Sequence, residues 1–121
     1  MPVRRSLSFP KSRRLTRASE FERVRREGRA HYGGLLILGV LAAKEAHGFR
    51  AGFVTVRRLG SVVVRNRVRR RLREIVRKHQ QKIVDAKWIV TVARASAARA
   101  SYRQLEDEWL RLAKRAFILA S

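Results

Sequence analysis

Residues 60–79 read GSVVVRNRVRRRLREIVRKH, and no other stretch limits the possible folds of this chain as tightly. Val64, Val68, Leu72, Ile75, Val76 and His79 recur at steps of three and four, the spacing of one apolar stripe on a helix that runs to about Gln80. Beside that stripe stand eight basic residues between Arg65 and Lys78 against a single acid, Glu74. On a helix Arg65, Arg69 and Arg73 follow one another at i+4 and continue to Arg77, while Asn66, Arg70 and Arg73 form an adjoining row. Like charges at that spacing repel by some tenths of a kcal/mol, so a ridge of this kind persists only where core packing or bound phosphate offsets the repulsion. The helix must therefore be anchored on its apolar side and offered to a polyanion on the other. Asn66 adds an amide that can donate and accept, suited to a base edge or a ribose 2′-hydroxyl. The plainer reading, a solvated basic face with Asn66 as a local cap, explains one polar residue and not a row of guanidinium groups.

The flanking sequence supplies the anchor. Residues 19–27 carry Phe21 and Val24 between charges, a short amphipathic helix with Thr16 or Ser19 as N-cap and Gly28 as its stop. The run LLILGVLA at 35–42, interrupted by Gly39, reads as a buried strand, and residues 49–56 as a second. Residues 44–48 are the right length for a hairpin loop, so these two strands should pair antiparallel. WIVTVA at 88–93 is another strand, rich in β-branched residues. The last element, residues 101–119, places Leu105, Trp109, Leu112, Ala113 and Phe117 on one face, with Ser101 as N-cap. The expected architecture is a two-layer α+β sandwich, a small mixed sheet with helices in the order α-β-β-(β)-α-β-α. Residues 1–14 read as a flexible basic arm and residues 15–121 as one RNA-binding domain.

Thirty Lys and Arg against nine Asp and Glu give a formal net charge of +21, which a phosphate-rich partner would neutralise. Arg far outnumbers Lys, favouring forked phosphate contacts and stacking on bases. No apolar run approaches the roughly 20 residues of a spanning helix and the N-terminus lacks a signal sequence, so a cytoplasmic protein without membrane contact is expected. Without cysteine there is no disulfide framework or thiolate metal site. Nuclease chemistry of its own would require clustered carboxylates or a His-based acid/base pair. Glu106, Asp107 and Glu108 point to different faces and read as a helix start that complements the macrodipole. His31, His47 and His79 lack ligand spacing, and His79 reads as a cap or phosphate contact. No catalytic residue and no protein-bound metal is expected. A structural or ribosomal RNA-binding protein shares this size and charge. A DNA-binding module is a weaker alternative, since no second helix stands at helix-turn-helix distance.

Gly60, Val63, Arg65-Asn66-Arg67, Arg69-Arg70 and Arg73 resemble the signature of the bacterial ribonuclease P protein component. Arg50-Ala51-Gly52-Phe53 and the pair Arg57-Arg58 are similar to the strand and basic residues that precede it, and the resemblance spans about residues 9 to 115. It implies a left-handed β-α-β crossover, an exception to the usual hand. It also implies a role in removing the 5′ leader of precursor tRNA, as the protein subunit of an endoribonuclease whose catalysis resides in RNA with its Mg2+ ions. Its partners would be the catalytic RNA, bound one to one by a monomeric protein, and precursor tRNA. By this carry-over Arg57, Arg58, Arg65, Asn66, Arg67, Arg69, Arg70, Arg73 and Arg77 serve the RNA, while Lys11, Arg14, Phe21 and Arg25 serve a cleft for the single-stranded leader. Two aromatic positions of the family align with Arg25 and Gly39, and Trp88 stands where an acid is common. Stacking would then fall to the Arg25 guanidinium or to Tyr32, a ring that reads first as a strand-edge residue.

Overall fold

The computed structural model describes residues 9–43 and 48–120. Along the chain come α1 (Ala18–Glu27), β1 (Arg29–Tyr32), β2 (Leu36–Ala42), β3 (Phe49–Thr55), α2 (Val62–His79), β4 (Lys87–Ala93) and α3 (Tyr102–Arg115), with 3-10 turns at Lys11–Arg13, Arg57–Leu59, Gln80–Lys82 and Ala95–Arg99. This is the expected α+β sandwich, and the additional strand is β1. It is polar, mostly exposed and lies at the sheet edge, so no alternation of apolar residues announces it.

Strand order is β1-β2-β4-β3. The hairpin expected between the second and third strands does not form. β4 lies between them, antiparallel to β2 and parallel to β3. Ile89 and Val90 point to opposite faces of β4 and both are buried, as are Val40 and Leu41 of β2, so both strands suit a central position with a neighbour on each side. The expected loop lies largely outside the described residues. α2 joins the parallel neighbours β3 and β4 as a crossover.

Alternation within the strands feeds two cores. Leu36, Leu38, Phe49, Ala51 and Ile89 meet Val68, Leu72, Ile75 and Val76 of α2 and Leu105, Trp109 and Leu112 of α3. The opposite face holds a smaller cluster in which Leu41 and Val90 meet Leu15 and Val24 beneath α1. The indole of Trp109 is fully buried and donates to Thr91 Oγ1 at 3.1 Å, satisfying both polar groups within the larger core.

Three local expectations are corrected. α1 starts after Arg17, not after Thr16 or Ser19 as caps: the Glu20 carboxylate accepts from the N–H groups of Thr16 (3.0 Å) and Arg17 (2.9 Å). α3 ends at Arg115, because Phe117 adopts φ 58° and turns the chain so that Ile118 enters the core. Phe117 is therefore exposed, and the Ile118 carbonyl accepts from Val84 N–H at 2.9 Å. The segment expected as an arm is packed from residue 9 onward: Phe9 is buried and Arg14 bridges Ala51 on the edge of β3. Residues 1–8 of that arm lie outside the described residues.

Two half-buried carboxylates tie neighbouring elements together and contribute to the acid response. Burial alone would raise Glu20, but hydrogen bonds from the Arg17 and Thr16 N–H groups and from Arg50 hold it below the ordinary value of 4.5. Glu106 behaves alike, its burial outweighed by His79 and Lys78. A carboxylate with a depressed folded pKa contributes stability above its unfolded pKa and loses it as pH falls through the folded one. Urea midpoints should fall as pH drops below about 4.5, and Glu20→Gln should flatten that decline. A wild-type acid limb in Glu20→Gln would show that Glu20 carries none of it.

Candidate nucleic-acid interface

α2 is oriented by its stripe. Ser61 caps it, accepting from Val64 N–H at 3.3 Å, and Val68, Leu72, Ile75 and Val76 are completely buried. At 100° per residue this leaves two flanks and an outer crest. Arg65, Arg69 and Arg73 occupy the flank beside β3 and the packed N-terminal segment. Arg69 donates to Thr55 Oγ1 and, at 2.9 Å, to Asn66 Oδ1, so Asn66 positions a guanidinium and does not cap the helix.

None of these three arginines has a carboxylate partner among the described residues. The Nε atoms of Arg65, Arg73 and Arg14 are buried without an acceptor there. Burial, then the charges of Arg14 and Arg69, push the Arg73 pKa down. Arg14 is held by donation to the Phe9 carbonyl at 2.8 Å. The result is a cluster of cations with donors to spare and no carboxylate partner among the described residues, a donor set whose geometry suits phosphate oxygens.

The remaining expected residues divide. Arg57 and Arg58 are exposed on the 3-10 turn ahead of α2, where buried Leu59 pins them, and Arg70 is exposed on the crest. Arg67 leans to the opposite flank and reaches the Ala98 carbonyl at 3.4 Å. Arg77 does not continue the ridge, because Glu74 three residues earlier takes its guanidinium. Gln80, not His79, is the C-cap of α2, and the His79 ring meets Glu106 Oε2 at 2.8 Å. The acidic trio also disperses: Glu106 binds His79 and Lys78, Glu108 is buried, Asp107 is exposed, and none stands in the first turn of α3.

A groove of about 560 Å³ lies between α1 and the outer sheet face, lined among others by Phe21, Arg25, Tyr32, Ile37, Gly39 and Val92. Phe21 rests on Gly52, whose missing Cβ would stand 2.6 Å from the ring, so only glycine admits it. Arg25 is held by Glu22, with Nε 3.2 Å from Oε1. Lys11 and Arg14, expected in this cleft, do not line it: the 3-10 turn carries them to the β3 edge, on the α2 side. Arg29, Val54 and Ile37 line it without having been expected. The last two were legible as alternate apolar residues of their strands; Arg29 carried no signal. Ile37 and Val92 also border a second hollow that continues to Arg58 and Arg94. Among the described residues no cluster of His, Asp or Glu could hold a metal, and no helix is long and apolar enough to cross a membrane.

A mixed sheet with an arginine flank on one side and an apolar groove on the other defines a small basic α+β protein of the polyanion-binding class. The sequence model of the Ribonuclease P family matches residues 9–117. The ribonuclease P protein component of Roseiflexus sp. (strain RS-1) is 44% identical over 77% of this chain and 76% of its own. That of Acidothermus cellulolyticus is 41% identical over 86% and 88%. A solved RNase P protein from Staphylococcus aureus superposes with a TM-score of 0.84 at 27% identity, covering 90% of this chain and 99% of that one. The chain belongs to the ribonuclease P protein component family.

Proposed function

We propose that this chain acts as the protein subunit of a ribonuclease P holoenzyme. It docks on the catalytic RNA through Arg65, Arg69 and Arg73 with Asn66, Arg70, Arg57 and Arg58, and holds the single-stranded 5′ leader of precursor tRNA in the groove under α1. The observation that carries this reading is the set of half-buried guanidinium groups with no carboxylate partner on the α2 flank. Phosphates entering there supply the missing acceptors and release counterions from the RNA. Ile37, Val54 and Val92 give bases an apolar floor, with Phe21 and Tyr32 as rings at its margin and Arg25 and Arg29 as phosphate partners.

Hydrolysis belongs to the RNA and its Mg2+ ions. The protein's contribution is electrostatic: its cations screen the repulsion between two RNAs, which raises the effective affinity of the RNA for metal. The holoenzyme is a one-to-one complex in the cytoplasm. Adding the purified protein to its cognate RNA at low Mg2+ should accelerate precursor cleavage; an unchanged rate would remove the assignment. Phe21→Ala should weaken binding of precursor tRNA by roughly tenfold, the scale of one lost stacking contact, while leaving mature tRNA unaffected. An equal loss for both would assign the ring to the core instead.

A further inference from the structure

The flank of α2 turned away from β3 carries a second cationic surface, of which only Arg67 belongs to the set that the family resemblance assigns to RNA. Arg67 and Arg71 lie there, about 200° around the helix from Arg69. They extend across the 3-10 turn at Ala95–Arg99, donating to the carbonyls of Ala98 (3.4 Å) and Ala100 (3.1 Å). Those acceptors are neutral, so they fix the guanidinium groups without cancelling their charge. Arg99 sits between the two carbonyls and Arg103 in the first turn of α3, both exposed. None of the four has a carboxylate partner among the described residues, whereas toward the other end of α2 the acids Glu74 and Glu106 neutralise Arg77 and Lys78. The crest of Val63, Asn66 and Arg70 lies between this surface and the Arg65 flank, so the two flanks face different directions.

We infer that Arg67, Arg71, Arg99 and Arg103 form a second phosphate-binding face, which takes a backbone segment of the same folded RNA distinct from the segment bound by Arg65, Arg69 and Arg73. α2 then acts as a wedge between two RNA segments, and the protein holds them at a set separation. The inference rests on the RNA-docking role proposed above and adds a second contact to it.

Because the chain has no cysteine, a single introduced thiol carries a cleavage probe unambiguously. Iron–EDTA tethered at Arg103→Cys and, separately, at Val63→Cys on the exposed crest would be assembled with the cognate RNA and activated to produce hydroxyl radicals. The Arg103 probe should cut at least one RNA segment that the Val63 probe leaves intact. Cuts confined to the Val63 segment, or none from Arg103 while Val63 cuts, would overturn the second face and leave the first standing. Cuts from neither probe would remove RNA docking itself, and the inference with it. As a second readout, Arg99→Ala with Arg103→Ala should lower the salt slope of RNA binding by about two with thermal unfolding unchanged. A wild-type slope in that variant would equally overturn the face.

Discussion

Replacing Arg65, Arg69 and Arg73 together by Ala is expected to weaken assembly with the cognate RNA by roughly 10² to 10³ fold near physiological salt. A surface guanidinium–phosphate contact, screened by water and ions, contributes on the order of 1 kcal/mol, and three lost contacts give about 3–4 kcal/mol. The slope of log affinity against log salt should fall by about three. Folding should respond in the opposite sense. The three side chains crowd one flank, and burial together with the charges of Arg14 and Arg69 disfavours the protonated form of Arg73, so their removal relieves repulsion. Unfolding by urea in the absence of RNA should therefore be unchanged or shifted slightly toward stability. A variant that binds RNA with wild-type affinity, or one that loses binding only in step with folding, would show that these arginines serve the fold.

Glu108→Ala should cost about 3–5 kcal/mol of folding stability, a large share of the 5–15 kcal/mol typical of a domain. One carboxylate oxygen accepts from the N–H groups of Leu35 (2.6 Å) and Leu36 (2.7 Å), and the other receives Arg111 at 3.0 Å. The side chain is 8% exposed and occupies the space where a Cβ on Gly33 would stand, so α3 is held against the start of β2 by this group. Removing it leaves two backbone donors without an acceptor and a void behind them. Glu108→Gln keeps an acceptor oxygen and should lose distinctly less. Arg111→Ala should lose under about 1 kcal/mol, because that partner is largely solvated. Equal urea midpoints for Glu108→Ala and wild type would refute the role.

Legibility differed from element to element. Periodicity located α2 and the body of α3, since a core on one side imposes a 3.6 repeat on a helix, while unbroken apolar and β-branched runs located β2, β3 and β4, whose two faces are both covered. β1 escaped because Arg29 and Tyr32 are exposed at an edge, where pairing is main-chain and side chains record nothing. The end of α3 was misplaced because Phe117 continues the apolar spacing, while contacts of Ile118 and Leu119 with residues 83 and 84 decide where the chain turns. Phe21 and Arg25, expected together in a cleft, both line the groove under α1. Lys11 and Arg14 do not line it, because a bridge to Ala51, remote in sequence, directs that segment to the β3 edge.

Local spacing along the chain was enough to determine that one helix pairs a buried aliphatic stripe with many arginines, because both properties are set within a few turns of the same segment. The tertiary structure decided which of those arginines lack a counter-charge. Glu74 takes Arg77, neutral carbonyls near residue 100 hold Arg67 and Arg71, and the β3 side leaves Arg65 and Arg73 without an acid. It also decided that β4 enters between β2 and β3 and that Gly52 yields its space to Phe21. These outcomes depend on partners tens of residues apart, whose proximity follows from burying both sheet faces at once and leaves no local trace.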